Sequence, residues 1–479
     1  MIGSTRTPRG PGRTLVAAAL VAALSAAGCT SGGGGGDLAG RGFQPGAAGI
    51  GDPYFPNYGN GGYDVAGYRL RIRYDPATDQ LTGAATITAT AVEDLSRFNL
   101  DLAGLTVSSV TVNGVRAENE HDEGELVITP AGGLPRGGQF TVDVGYEGVP
   151  VPVTGSDLGA GGFVNTSDGA VALGQPESAN TWFPVNDHPL DKATYDIELT
   201  VPEGLSALSN GVPGGVETAD GWTTWRWSER SPMASYLTTV VIGDYRVSTG
   251  THDGKPLVTA VASSLPEGGP AEESLARTGE IADFLATKFG PYPFEAYGGV
   301  ALADTRFGYA LETQSRPVYG PAFFRSGANL GVVAHELAHQ WFGNSVSIQR
   351  WSDLWLNEGF ASYAEWLWAE HDGGRSTQRS FEAEYATTDW SSPTIDPGRS
   401  GLFGRAVYKR GALTVHALRL AVGDDAFFRI LRTWTAEKRD GNVTTADLVT
   451  VAERISGQSL RPLFDAWLSG DTRPEIPGR

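Results

Sequence analysis

The sequence predicts an α+β protein of several domains, in which an antiparallel β domain precedes a mainly helical domain. Hydrophobic residues recur with period two over residues 61–250 and with helical spacing over residues 251–479. They make up 40% of the 479-residue chain, and charged residues make up 19%, which is typical of a folded protein with full hydrophobic cores. We therefore expect two folded domains with a boundary near residue 250.

Residues 1–29 have the composition of an export signal. Three arginines precede an apolar, Ala-rich run that is too short to cross a bilayer comfortably, and the run ends in "LSAAGC". This ending resembles a bacterial lipoprotein signal, although Ala26 stands where Leu is usual. The resemblance implies a lipid on Cys29 and an exported protein anchored on the outer side of the cell membrane. Simple secretion is the alternative.

The net charge argues against binding to nucleic acid, and the cysteine content excludes a disulfide within the chain. The formal net charge is −19, which argues against nucleic acid as a partner because phosphate-backbone binding needs clustered Lys and Arg. The negative charge is explained by a soluble, self-repelling surface, and it could also favour cationic substrates. Cys29 is the only cysteine, so a disulfide within the chain is excluded.

The β domain is predicted to follow a flexible, Gly- and Pro-rich tether at residues 30–60. In "YRLRIRY" aromatic and aliphatic side chains alternate with arginines, and in "AATITATA" alanine and isoleucine alternate with threonine. "VTVNGV" places Asn113 and Gly114 between β-branched residues, which is typical of a type I′ hairpin. Further runs begin at Tyr195 and Tyr236. One buried face per strand predicts a β-sandwich or a saddle-shaped sheet.

The second domain, residues 251–479, is predicted to be mainly helical. One helical stripe ends at Gly290-Pro291 and contains Leu275, Ile281, Ala282, Leu285 and Phe289. Further helices are expected after residues 330, 355 and 405, and at about 424–438 and 445–456.

The stretch "VVAHELAHQWFG" predicts a metal site, although the bare pattern of its histidines also arises by chance. His335 and His339 lie four residues apart, so a helix places them on one face with Glu336 beside them. The later stretch "WSDLWLNEGFASYAEWLW" offers Glu358 as a third ligand on a returning helix. Glu365 lies two turns further along that face. It is either a partner to a metal-bound histidine or an ordinary solvated glutamate.

Together these two stretches resemble the zinc aminopeptidases of the aminopeptidase N and leukotriene hydrolase type. The resemblance implies a thermolysin-like, mainly helical catalytic domain with one zinc ion per chain. It implies that His335, His339 and Glu358 bind the zinc and that Glu336 is the general base. The stretch preceding residue 479 resembles the end of the catalytic domain in this family, and we expect a more open site than in members that carry further domains.

Other residues of the family's site can be carried over from shorter matches. In "GYALETQSRP" the match implies that Glu312 binds the free α-amine of the substrate. In "GQPESANTWFPVNDHP" the matching acidic position is Glu177, with Gln175 beside it. In "AVYKRGAL" the match implies that the hydroxyl of Tyr408 stabilises the oxyanion, with an ordinary core tyrosine as the alternative.

These roles predict a hydrolase that removes one residue from peptides with a free N-terminus. Glu312 and Glu177 would close the site at the amine, which distinguishes this activity from that of an endopeptidase. Besides an endopeptidase, an alternative is a catalytically silent peptide-binding lipoprotein. A third alternative is epoxide hydrolysis, which the leukotriene hydrolase branch adds, but the sequence contains no indication of a lipid pocket.

Overall fold

The structure is a computed structural model described for residues 42–122, 124–153 and 158–478. Phe43–Arg479 form one compact unit. The predicted signal at residues 1–29, with Cys29, lies outside the described residues, as does the first part of the predicted tether. No helix in the described ranges has the length and apolar character needed to cross a membrane.

The first half of the described chain consists mostly of strands, and in the longest of them buried side chains alternate with more exposed ones. Their bounds are β1 (Gln44–Pro45), β2 (Tyr63–Asp75), β3 (Gln80–Ala91), β4 (Leu95–Asp101), β5 (Thr106–Val112), β6 (Val115–Arg116), β7 (Glu118–Asp122), β8 (Glu125–Thr129), β9 (Gln139–Gly148), β10 (Gly162–Asn165), β11 (Ala170–Leu173), β12 (Lys192–Pro202), β13 (Ser206–Ser209), β14 (Val212–Ala219), β15 (Trp222–Ala234) and β16 (Val240–Gly243).

These strands form three sheets. The large sheet has the order β14-β15-β12-β2-β3-β9-β5-β6, and two smaller sheets have the orders β1-β4-β8-β7 and β10-β11-β16-β13. Pairing is antiparallel except between β2 and β12 and between β1 and β4. A long stretch of chain separates the strands of each of these two pairs, so no hairpin turn forces an antiparallel pairing.

The second half contains one mixed sheet and most of the helices. The strands of this second half are β17 (Tyr245–His252), β18 (Lys255–Ala262), β19 (Tyr297–Ala301), β20 (Ala310–Leu311), β21 (Val318–Tyr319), β22 (Ser347–Ile348) and β23 (Asn442–Val443). The α-helices are α1 (Pro270–Leu275), α2 (Thr278–Phe289), α3 (Leu330–Ala338), α4 (Trp355–His371), α5 (Thr377–Thr387), α6 (Gly411–Val422), α7 (Asp424–Glu437), α8 (Thr445–Ser456) and α9 (Arg461–Phe464). The mixed sheet has the order β17-β18-β19-β21-β20, with β20 at its edge.

Helix α4 lies at the centre of the helical half. Nearly every side chain from Trp355 to Trp368 is buried, because the helix is apolar around most of its circumference and packs against both α3 and α6. The contact with α6 is made at Gly359 and Gly411, where the two backbones approach so closely that neither glycine has room for a Cβ atom.

Three observations differ from the sequence predictions. The strand pattern continues past residue 250 in the β17–β18 hairpin, so that β18 lies in the part of the chain predicted to be mainly helical, because Asp253-Gly254 supplies the two positive φ angles of a tight turn. The short helix α5 was not predicted. Residues 52–60, assigned to the flexible tether, pack against the helical half, since Phe55 is buried and its ring lies edge-on to that of Trp351 with centroids 6.0 Å apart.

Candidate active site

Helix α3 carries His335 of the predicted metal site, and His339 is the residue that directly follows the helix. The first turn of α3 is capped by the side chain of Asn329, which accepts a hydrogen bond from the backbone N–H of Val332. Leu337 is buried on the side of the helix that packs into the core. The rings of His335 and His339 lie with centroids 4.8 Å apart, as expected for positions one helical turn apart.

Helix α4 brings Glu358 to the same point. Glu358 Oε2 lies 3.3 Å from His335 Nε2 and 3.4 Å from His339 Nε2. Ligand atoms bound to a tetrahedral zinc at about 2.0 Å are about 3.3 Å apart, so these spacings fit that ion. Two histidine nitrogens and one carboxylate are also a donor set of catalytic zinc sites. The residues therefore fit zinc.

Both histidines use the second ring nitrogen to fix the orientation of the imidazole. His335 Nδ1 lies 2.7 Å from Glu365 Oε1, and His339 Nδ1 lies 3.1 Å from the backbone carbonyl oxygen of Phe342. Carboxylate and carbonyl oxygens accept hydrogen bonds, so each Nδ1 carries the proton and each Nε2 presents its lone pair to a metal ion. Lys409 Nζ is 3.8 Å from Glu365 Oε1 and adds a positive charge behind this pair.

The charges of the three metal-binding candidates depend on one another. Burial would raise the pKa of Glu358, but His339 and His335 outweigh burial and lower it to about 2. Burial would lower the pKa of His339, but the carboxylates of Glu358 and Glu312 outweigh burial and raise it to about 9. Because histidine binds zinc in its neutral form, zinc binding displaces protons that these carboxylates stabilise.

Glu336 is buried beside this group. Its side chain is 5% exposed, and burial raises its pKa to about 7 although both histidines act in the opposite direction. One of its carboxylate oxygens lies within 4.8 Å of a ring nitrogen of His339 and a carboxylate oxygen of Glu312. A carboxylate whose pKa is near neutrality is suited to accept and return a proton.

These groups line one cavity of about 340 Å³. Its lining residues are Leu158, Gln175, Tyr309, Ala310, Leu311, Glu312, Phe323, Asn329, Gly331, Val332, His335, Glu336, His339, Glu358, Glu365 and Tyr408. Polar groups that converge between apolar and aromatic side chains are typical of small-ligand sites.

A π-helical turn, Ala406–Arg410, presents Tyr408 to the cavity just before α6. Turns of this kind inside helices are frequent at functional sites. The ring of Tyr408 stacks against that of His335 with centroids 6.3 Å apart. Burial, together with Glu358, Glu312 and Glu336, raises the pKa of Tyr408 well above its usual value, so the phenol keeps its proton and can donate it in a hydrogen bond.

The predicted amine-binding residue Glu312 follows the edge strand β20 and is 2% exposed. Its Oε1 accepts a hydrogen bond from the hydroxyl of Tyr236 at 2.9 Å, and Gln175 Nε2 lies 3.5 Å from the same oxygen. Gln175 and Tyr236 come from the β-rich half of the chain, whereas Glu312 comes from the helical half. The two halves therefore meet at this carboxylate.

The structure separates the two residues that were predicted together at positions 175 and 177. Gln175 lines the cavity, whereas Glu177 is not among the described residues that line it. Glu177 instead accepts hydrogen bonds from the hydroxyl of Tyr58 at 2.5 Å and from Asn180 Nδ2 at 3.1 Å. The bond from Tyr58 holds the carboxylate against residues 52–60, so the structure favours Gln175 over Glu177 at the cavity.

Sequence reasoning missed Tyr236, Asn329 and Leu158. Tyr236 reaches Glu312 across 76 positions of sequence, and no local pattern predicts such a contact. His188 is buried, and its Nε2 lies 3.3 Å from Asp52 Oδ2.

Comparison with known proteins identifies the class of protein that this fold and site define. Residues 275–467 match the peptidase family M1 domain, and residues 65–237 match the peptidase M1 N-terminal domain. The chain belongs to peptidase family M1. The predicted fold is thereby confirmed: a β-rich N-terminal domain precedes a helical catalytic domain of the metallopeptidase type.

The relatives include both longer and similarly sized proteins. Rat aminopeptidase N is 29% identical over 386 residues, which cover 72% of this chain and 40% of the relative. Arabidopsis thaliana aminopeptidase M1 is 28% identical over 467 residues, which cover 86% of this chain and 51% of the relative. The chain thus spans about half the length of these aminopeptidases.

Among solved structures, a mutant M1 zinc metallopeptidase from Deinococcus radiodurans with bound Tyr-Ser-Ala substrate is 32% identical. Its TM-score is 0.83, and the match covers 90% of this chain and 99% of that protein. A two-domain M1 zinc metallopeptidase with bound L-tryptophan is also 32% identical, with a TM-score of 0.82 and coverage of 90% and 100%.

Proposed function

We propose that the protein is a zinc aminopeptidase, which hydrolyses the N-terminal residue from peptides with a free α-amine. The observation that carries the proposal is the composition of a single cavity. One set of its residues (His335, His339, Glu358) has the donors and spacing of a catalytic zinc site, and the buried carboxylate of Glu312 lies in the same cavity. A buried ammonium group needs an anion beside it, so this carboxylate sets the position of a substrate's first residue.

One zinc ion per chain would be held by His335, His339 and Glu358. When bound there, zinc supplies Lewis acidity that polarises the scissile carbonyl and makes water more acidic. Glu336 accepts the proton of the attacking water and returns it to the nitrogen of the leaving amine. The phenol of Tyr408 donates a hydrogen bond to the negative charge that develops on the carbonyl oxygen.

Glu312 and Gln175 determine where the peptide is cut. The carboxylate of Glu312 pairs with the substrate ammonium, and the carboxamide oxygen of Gln175 accepts a second hydrogen bond from it. With the amine held at this point, the first peptide bond is the one that reaches Glu336. Cleavage at the N-terminal residue is supported by the relatives named aminopeptidases and by the Tyr-Ser-Ala substrate bound to the Deinococcus protein.

The test is a panel of aminoacyl fluorogenic amides with a free amine, assayed together with metal analysis of the same preparation. We expect about one zinc per chain, hydrolysis of several members of the panel, loss of activity with a chelator and recovery on addition of zinc. Activity that survives complete removal of zinc would contradict the proposal. A zinc-loaded protein without hydrolysis would instead favour a peptide-binding role.

We further propose that the protein is exported and is held on the outer side of the cell membrane by a lipid on Cys29. The support is the sequence of residues 1–29, with its arginines, its short apolar run and the "LSAAGC" ending. Cys29→Ser is expected to move the protein from the membrane fraction to the soluble exported fraction. An unchanged membrane fraction in the variant would contradict the lipid anchor.

A further inference from the structure

Tyr236 lies behind the amine-binding carboxylate and is not among the residues that line the cavity in the described part of the chain. Its hydroxyl donates to Glu312 Oε1 at 2.9 Å, and both side chains are at most 2% exposed. Gln175 Nε2 approaches the same oxygen from 3.5 Å, at the outer limit of a hydrogen bond. The tyrosine therefore makes the shorter of the two contacts to this oxygen.

The backbone of Glu312 is fixed independently of its side chain. Its carbonyl oxygen accepts hydrogen bonds from Gln340 Nε2 at 3.1 Å and from Asn344 Nδ2 at 2.7 Å. Both donors lie just after helix α3. They therefore fix the backbone at the end of β20 relative to the predicted metal site. What they leave undetermined is the rotation of the carboxylate itself, because Glu has three rotatable side-chain bonds.

Tyr236 is held rigidly enough to determine that rotation. It belongs to the 3₁₀ turn Ser235–Leu237, which is completely buried. Its ring packs edge-on against Trp351 with centroids 5.5 Å apart. The backbone N–H of Trp351 in turn donates to Asp52 Oδ2 at 2.9 Å. A buried aromatic ring with one hydroxyl is a fixed donor, in contrast to a flexible side chain.

We propose that Tyr236 is a positioning residue for substrate recognition, whose hydroxyl orients the Glu312 carboxylate toward the substrate's α-ammonium group. The inference rests on the proposed function and deepens it, since it assigns part of the amine recognition to a turn of the β-rich half. A carboxylate free to rotate would lose entropy on pairing with the amine, so the hydroxyl pre-organises the site before substrate arrives.

The test uses Tyr236→Phe, which removes the hydroxyl and leaves the ring on Trp351. With a free-amine aminoacyl amide we expect KM to rise about tenfold and kcat to stay within about threefold, because the lost contact acts on binding of the amine. Tyr146→Phe is the matched control: Tyr146 is also a buried tyrosine of the β-rich half, in β9, and its hydroxyl has no partner among the described residues.

Binding to catalytically inactive protein separates this inference from the proposed function. In a Glu336→Gln background, we expect Tyr236→Phe to weaken calorimetric binding of the peptide Tyr-Ser-Ala about tenfold, and Tyr146→Phe to leave it within about twofold. Unchanged binding in the Tyr236 variant, or an equal loss in both variants, would overturn the positioning role. Failure of the wild-type protein to hydrolyse any aminoacyl amide would overturn the proposed function, whatever the binding result.

Discussion

At the scale of single residues, His335 uses both ring nitrogens. Its Nδ1 is bound by Glu365 at 2.7 Å, and its Nε2 faces Glu358 Oε2 at 3.3 Å. The carboxylate that holds Nδ1 selects the tautomer and makes Nε2 a better electron donor.

Glu365→Gln is expected to lower zinc affinity by about 10- to 100-fold while the protein stays folded. The amide oxygen still accepts from Nδ1, but it lacks the negative charge that strengthens the bond. Competition with a fluorescent zinc chelator measures the change. Glu370→Gln is the control on the same helix, because Glu370 accepts from Thr377 instead. Equal zinc affinity in wild type and the Glu365 variant would contradict this role for Glu365.

Site residues could be predicted from the sequence where the geometry of a helix decides which side chains meet. The spacing of His335, His339 and Glu358 follows from two helices, and the structure brings all three together. Gln175 and Glu177 are only two positions apart, but Gln175 approaches Glu312, whereas Glu177 is bound by Tyr58, which lies more than a hundred residues earlier. A contact of this kind has no signature in the local pattern.

At the scale of elements, the contact between α4 and α6 aligns two parts of the site. Helix α4 carries Glu358, and the turn before α6 carries Tyr408. A Cβ atom on Gly411 would lie 2.8 Å from the Cα atom of Gly359, closer than side chains tolerate. The two glycines thus set the separation of Glu358 from Tyr408, the proposed oxyanion donor.

Gly411→Ala is expected to push these elements apart, at a cost of about 1–3 kcal/mol in the free energy of unfolding and with a fall in kcat. Denaturant unfolding and steady-state kinetics measure the two effects. Gly250→Ala is the control, since a Cβ atom there meets nothing within 4 Å. Wild-type stability and kcat in the Gly411→Ala variant would show that the close packing is not needed.

Residues 52–60 are a second element that joins the two halves of the molecule. Asp52 is 3% exposed and accepts a hydrogen bond from the backbone N–H of Trp351 at 2.9 Å. Its other oxygen accepts from the backbone N–H of Tyr54 at 2.8 Å. Burial would raise the pKa of Asp52, but the contact with His188 and these backbone donors outweigh burial and lower it.

Asp52→Asn is therefore expected to destabilise the protein by about 1–3 kcal/mol at neutral pH. A carboxyl group whose pKa is lowered by folding stabilises the protein above its unfolded pKa, and this contribution is lost as the pH falls through its folded pKa. The difference between wild type and variant should accordingly shrink at about pH 3. Urea unfolding at both pH values measures it. A difference that is equal at both pH values would contradict the contribution of the charge.

Elements were predictable where local chemistry decides the structure. The Asn113-Gly114 turn forms between β5 and β6 with positive φ at both residues, and α8 spans Thr445–Ser456 as expected from its periodicity. The β17–β18 hairpin was missed because its Asp-Gly turn lies at the predicted change from strand to helix. The parallel pairing of β2 with β12 depends on long-range packing.

At the scale of the whole molecule, the site is built where the β-rich half meets the helical half. Lys192, in β12, donates to the backbone carbonyl oxygens of Asn344 and Ser345 just beyond α3, and Arg316 donates to that of Gly211. Gln175 and Tyr236 reach Glu312 across the same boundary. The sequence predicted the order of the halves, but which loops of the first half reach the cavity was not visible in any local pattern.

The measurement that tests the central claim most directly compares one peptide in two forms. Tyr-Ser-Ala with a free amine and its N-acetylated form are incubated with the zinc-loaded protein, and the products are identified by mass spectrometry. Pairing of the ammonium with Glu312 predicts release of tyrosine from the free peptide, and at least about a hundredfold slower cleavage of the acetylated one. Equal cleavage of both forms, or cleavage first at the Ser-Ala bond, would contradict an aminopeptidase.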